Sequence, residues 1–183
     1  MPKRRASGRS ISIETGRLRG VFWRVLTPRW ARDPLSGQGA AIHGGRFNEV
    51  GVAALYLSLD LPTAIEEYQQ DIDFRPGTFC AYQVDVGPIA DLTLDSNIRR
   101  LRVTKSDLLC DWKQIAFYEN DTPPTWKIAK RLRSLCAGVM VPSARVSQSS
   151  NLVLWRWNDM RNNRVRSLDP SEELKKLDLL RKT

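Results

Sequence analysis

Histidine and cysteine are scarce in this chain. Among 183 residues His43 is the one histidine, and Cys80, Cys110 and Cys136 stand far apart with no C-x-x-C pair. A single imidazole excludes multi-histidine metal centres and leaves a poor supply of partners for a cysteine nucleophile. Scattered thiols, odd in number and among apolar neighbours, read as reduced core residues, so neither disulfides nor zinc are expected, and no metal or prosthetic group is assigned. No apolar run approaches the roughly 18 to 20 residues of a membrane span. The leader MPKRRASGRSISIETG has no apolar secretory stretch, so a cytoplasmic protein without membrane contact is expected. There is also no Gly/Ser/Pro linker and no internal repeat, which makes a single domain with one substantial core the default. Acidic residues are in deficit, 20 against 29 basic, giving a net charge of +9. An anionic partner follows, and nucleic acid, a phosphorylated small ligand and an acidic protein all satisfy that charge. Six of the basic residues fall in 1–19, which reads as a solvated tail.

What is present is a folded, mixed pattern. VFWRVL (21–26), ALYLSL (54–59) and TFCAYQVDV (78–86) alternate as strands, a short strand IADLTL follows Pro88, and VMV and NLVLWRW flank the loop PSARVSQSS. In the second strand Leu55, Leu57 and Leu59 are expected in the core, with Tyr56 and Ser58 on the other face. Asp60 is placed to cap a helix with Pro62 in its first turn, whose apolar stripe is Leu61, Ala64, Ile65 and Tyr68. At about 100° per residue Glu66 then faces solvent and Glu67 falls at the sheltered edge. Thr104 and Asp107 suggest a second capped helix. A third runs from Thr122 to a stop at Gly138 and buries Ile128, Ala129, Leu132, Leu135 and Cys136. A terminal helix is capped by Asp169 with Glu172. Strands and helices lack a regular βαβ period, so the class is α+β, a single domain with a mixed, split sheet flanked by helices. The loop from Thr27 to Gly51 is long for a compact domain, and loops of that length are uncommon unless they are functional or disordered.

That loop ends in HGGRFN. Arg24 in FWRV, GGRFN with Arg46, GVAALYLS with Tyr56, A-x-x-E from Ala64 to Glu67, then VPSARV with Ser143 and NLVL stand in an order and spacing that resemble the RES domain family. The resemblance covers about residues 20–160, read as the catalytic domain, with 161–183 as a helical extension of it. It implies an ADP-ribosyltransferase-like fold and the toxin of a bacterial toxin–antitoxin pair. Such a toxin breaks the nicotinamide–ribose bond of its substrate NAD and passes ADP-ribose to water, phosphate or a protein acceptor. It also implies a neutralising antitoxin of the DNA-binding, Xre-like kind, and no direct nucleic-acid binding by the toxin. Carried over are Glu67, Ser143 and Arg24 as catalytic residues and Arg46, Tyr56 and Arg24 as NAD-binding residues. Phe47 stands where many relatives have tryptophan.

The chemistry is consistent with those residue types. Nicotinamide in NAD is cationic and leaves neutral, so no general acid is needed, whereas the oxocarbenium-like ribose needs a fixed carboxylate such as Glu67. Arginine offers the planar fork a pyrophosphate wants, Tyr56 a flat face for the nicotinamide ring, and Ser143 a hydroxyl for ribose or for orienting the glutamate. Each has a plain alternative. Arg24 pairs with a structural carboxylate, Glu67 is solvated, Tyr56 is core, Ser143 serves a turn, His43 is a loop residue, and the tryptophans are core and interface. The rival functions are a nucleic-acid-binding module using the basic N-terminus and the helix around Lys127 to Arg133, and a basic face that only docks an acidic protein.

Overall fold

The computed structural model describes residues 13–69, 76–159 and 162–176. Six strands form one mixed sheet: β1 (Thr15–Leu26), β2 (Leu55–Ser58), β3 (Thr78–Asp91), β4 (Gly138–Pro142), β5 (Ser150–Leu154) and β6 (Arg164–Ser167). Their order is β1-β2-β5-β4-β3-β6, and β1 also pairs with β3, so the first five strands close into a barrel-like core with β6 on the free edge of β3. Among the described residues only β3 and β4 run parallel. Closure is uneven. β1 pairs along β3 from Thr15↔Ala90 to Leu26↔Thr78, yet meets β2 at Trp23↔Ser58 alone among the described residues. This seam is the split in the sheet.

Alternation sends the two faces of each strand to different cores. Phe22, Leu26, Leu55, Leu57, Cys80, Tyr82, Val84, Leu152 and Leu154 fill the inside. Ala90, Val139, Val141 and Val153 face outward and are covered by Ile98 and Leu101 of α3 (Asp95–Leu101), Leu108 of α4 (Lys105–Leu108), and Ile128, Ala129 and Leu132 of α5 (Pro124–Arg133). Burying each such leucine or isoleucine contributes about 1.5 to 3 kcal/mol. Thr104 and Asp107 make the expected reciprocal cap of α4. Lys127, Lys130 and Arg131 of α5 are exposed, while Arg133 pairs with Glu49 at 2.7 Å.

Several expectations are corrected. Residues 15–19, assigned to the tail, are the first part of β1, and Arg17 and Arg19 both pair with Asp85 across β3. Residues 1–12 lie outside the described residues. The separate strand after Pro88 is the continuation of β3. Leu59 is 48% exposed because β2 ends at Ser58, where the chain turns into the next helix. β5 stops at Leu154, and the amides of Trp155 and Arg156 both turn to the Ala137 carbonyl. Helix α5 begins after Pro123 without a side-chain cap from Thr122 and ends at Arg133, leaving Leu135 exposed. Gly138 opens β4 and does not stop the helix. A Cβ there would strike the Val153 carbonyl. Helix α3 was not anticipated. Its Asn97, buried, bonds the backbone of Glu14 and of Asp91. At the C-terminal end, Asp169 caps Glu173 and Leu174 of α6 (Glu173–Lys176), but Glu172 takes φ 55° and stands outside the helix. The remainder of the expected terminal helix, 177–183, lies outside the described residues.

Candidate active site

The long loop is ordered by three indole N–H groups. Trp126 donates to the Gly45 carbonyl at 2.8 Å, Trp155 to Phe47 at 2.9 Å and Trp157 to Leu35 at 3.1 Å. Tryptophans expected as core and interface are thus the struts of the site. Short helix α1 (Gln38–His43) leads into Gly44, at φ 71°, and a tight turn in which Gly45 and Asn48 bridge each other. Gly45 permits this closeness, since a Cβ would lie 2.5 Å from Asn48 Oδ1 and 2.6 Å from the Tyr56 hydroxyl. Asn48, 1% exposed, donates to the carbonyls of Ala40 and Val52 and accepts from the Tyr56 hydroxyl at 2.7 Å. That hydroxyl in turn accepts from the Phe47 amide at 2.9 Å. With Phe47 anchored in the core, Arg46 projects from the turn, and its Nη1 donates to the Cys110 carbonyl.

The carboxylate arrives on α2 (Leu61–Gln69), which Asp60 caps through the Thr63 amide at 2.8 Å. The deepest residues of α2 are Thr63 and Ala64, so Glu67, one turn on, is carried inward and half-buried, and Glu66 is exposed as expected. Glu67 Oε1 accepts from Ser143 Oγ at 2.7 Å and from Asn151 Nδ2 at 2.7 Å. Ser143 Oγ also accepts the amides of Arg145 and Val146, at 3.1 and 3.0 Å, so its proton is aimed at the carboxylate.

A cavity of about 660 Å³ opens over these groups, within the usual range for small-ligand sites. Its lining takes Gly44, Gly45 and Arg46 from the turn, Tyr56 from β2, Glu67 from α2, and Cys110, Trp112, Lys113 and Phe117 from the 109–118 segment, with Arg145 and the exposed His43. A second cavity of about 170 Å³ shares Tyr56 and Glu67 and lies at the β1–β2 seam with Trp23, Ser58, Tyr68 and Asn151. Arg46, Tyr56 and Glu67 therefore meet in the large cavity, and Ser143 joins them through Glu67. Arg24 does not. The pleat pairs it with Cys80 on the inner face, its Nη1 donates to the Ser36 carbonyl at 3.3 Å, and it borders only the smaller cavity. Burial lowers the Arg24 pKa, against the opposing pull of Tyr82 and Cys80. Burial also pushes the Tyr56 phenol far above the usual tyrosine range, which keeps it protonated.

Two kinds of site residue escaped sequence reasoning. Asn48 and Asn151 sit within recognised motifs, Asn48 closing GGRFN and Asn151 opening the apolar run NLVL. The 109–118 wall carried a subtler one: Trp112 and Phe117 are five apart, and the π-helical turn Gln114–Tyr118 brings their rings to 5.9 Å, edge to face. Among the described residues no group of three or more His, Cys, Asp or Glu side chains could hold a metal ion.

A closed mixed barrel that delivers a guanidinium, a phenol and an oriented carboxylate to one cavity defines an enzyme of α+β class. The chain belongs to the RES domain family, whose model matches residues 21–176 and so runs on through β6 and α6. It is 57% identical over 141 residues, 73% of this chain and 80% of the relative, to the "Prs ADP-ribosylating toxin" of Sphingobium sp. (strain YBL2). Its fold is similar to that of a chain in the crystal structure of the M. tuberculosis MbcT–MbcA toxin–antitoxin complex, with a TM-score of 0.60, 21% identity and 92% of each chain covered.

Proposed function

We propose that this protein is the toxin of a toxin–antitoxin pair, an enzyme that binds NAD, cleaves its nicotinamide–ribose bond and transfers ADP-ribose to a protein. The observation that carries this reading is the Glu67 carboxylate, held by two donors in the lining of a cavity that Arg46 also lines. When the C1′–N bond breaks, its electron pair returns to the pyridinium ring, nicotinamide departs neutral, and positive charge is left on the ribose. A preorganised anion stabilises that charge, and the acceptor's nucleophile then bonds to C1′ and loses its proton. Arg46 is given the pyrophosphate, on which its fork can form paired hydrogen bonds. Tyr56 borders the ring and holds the turn that aims Arg46, and Ser143 orients Glu67. Arg24 is given the smaller cavity, whose wall it shares with Glu67.

A protein acceptor is supported by the relative named for ADP-ribosylating Prs. Water and phosphate are the other acceptors the chemistry allows. The partner in this reading is a DNA-binding antitoxin of Xre type. A reducing, cytoplasmic setting fits the free thiols of Cys80, Cys110 and Cys136. No helix among the described residues is long and apolar enough to cross a membrane. The test is to incubate the pure protein with NAD and follow free nicotinamide. Glu67→Gln should keep the fold and cut turnover by about 10²- to 10³-fold. Glu66→Gln should leave it unchanged, and equal losses in both would remove Glu67 from the chemistry.

A further inference from the structure

We propose that Asn151, locked by Ser58, is a positioning residue that decides which oxygen of Glu67 meets the substrate. This rests on Glu67 being the carboxylate that stabilises the ribose cation. Both donors to Glu67 converge on Oε1, and Oε2 accepts from no described residue. One hydrogen bond would let the carboxylate swing about its terminal bond, whereas two, from Ser143 after β4 and Asn151 on β5, fix its plane and present Oε2. The orientation of the Asn151 amide is itself determined. Ser58 Oγ donates to its Oδ1 at 2.8 Å, which turns Nδ2 toward Glu67, and a flipped amide would set one acceptor against another.

The sheet supplies this alignment. Trp23, Ser58, Asn151 and Val141 are successive partners across β1, β2, β5 and β4, so Ser58 and Asn151 share one face by register. Neither residue lines the large cavity, and Ser58 is 5% exposed. Both border the smaller cavity beside Glu67, and it is the Asn151–Glu67 hydrogen bond that links Asn151 to the large cavity. Being neutral, it also leaves the carboxylate its full charge, which an arginine or lysine in the same place would oppose.

The experiment measures kcat and KM for NAD, by nicotinamide release, in the full chain and in Asn151→Ala, Ser58→Ala, Glu67→Gln and the Asn151→Ala/Glu67→Gln double variant. Asn151→Ala should lower kcat by about 10- to 100-fold, the loss typical when a residue that orients a functional ligand is removed, with little change in KM. Ser58→Ala should show part of that loss. In the Glu67→Gln background Asn151→Ala should cost little more, because the carboxylate it orients has gone. A full additional loss there, or a fall in kcat matched by a fall in Tm, would make Asn151 merely structural and overturn the proposal. A crystal structure of Asn151→Ala gives a readout independent of activity. Glu67 should leave its single orientation, and an unmoved Glu67 would also overturn it. If the unaltered chain released no nicotinamide, the functional reading would fail while the crystal structure still decided the role of Asn151.

Discussion

Tyr56 illustrates how a single side chain can be spent on geometry. Its hydroxyl uses its proton on Asn48 and a lone pair on the Phe47 amide, so it ties strand β2 to the turn that carries Arg46. Tyr56→Phe keeps the ring but strands two buried polar groups, at a cost of about 1 to 3 kcal/mol. The expected outcome is a Tm lower by several degrees, at roughly 2 to 4 °C per kcal/mol for a chain of this size, together with a raised KM for NAD as the turn loosens. An unchanged Tm with unchanged KM would mean that the three indole struts hold the turn without it. The residue type was legible in the sequence, and so was its strand face. That the phenol faces a backbone amide and an asparagine was not, because both partners come from a loop whose path no periodicity records.

At the scale of the element, α2 couples stability to the site. Asp60 accepts from the Thr63 amide, and this bond, with help from the Thr63 and Ser149 hydroxyls, holds its carboxyl below the ordinary value of about 3.9. A depressed folded-state pKa contributes stability that is complete well above the unfolded value and is lost as pH falls through the folded one. Asp60→Asn should therefore differ from the unaltered chain by a constant amount in urea unfolding near neutrality, and the difference should shrink below about pH 4. A gap that is the same at every pH would assign the cap to shape alone. The cap and the phase that shelters Glu67 were readable from Asp60, Pro62 and the apolar stripe. The limits of β5 and α5 were not, since both end where the backbone finds tertiary partners rather than where side-chain pattern changes.

The whole molecule adds a field and a seam. With a net charge of +9 and Arg46, Lys113 and Arg145 around the large cavity, an antitoxin segment entering it should carry carboxylates that imitate the phosphates. Affinity of the complex should then fall as ionic strength rises from about 0.05 to 0.5 M, because screening shortens to a few ångströms over that range. A salt-independent affinity would point to an apolar interface at Phe117, which lines the cavity and is 53% exposed, and its neighbour Tyr118, 80% exposed. The seam matters equally. Because β1 leaves β2 beyond Trp23↔Ser58, the smaller cavity opens at the point where Glu67, Asn151 and Arg24 approach one another in the fold.

Local chemistry was enough to determine the α+β class, the alternating strands, the cap of α2 and the half-sheltered Glu67. These follow from periodicity and short-range hydrogen bonding, which a linear chain records. Only the tertiary structure decided that β1 closes onto β3, that Arg24 turns to the inner face, that tryptophans from two distant segments hold the loop, and that Asn151 shares the glutamate with Ser143. The closure, the face of Arg24 and the place of Asn151 depend on register between strands far apart in sequence, and the tryptophan struts on contacts made from α5 and from the segment after β5. A one-residue slip would send every side chain to the other face, and nothing local specifies which register closes the barrel.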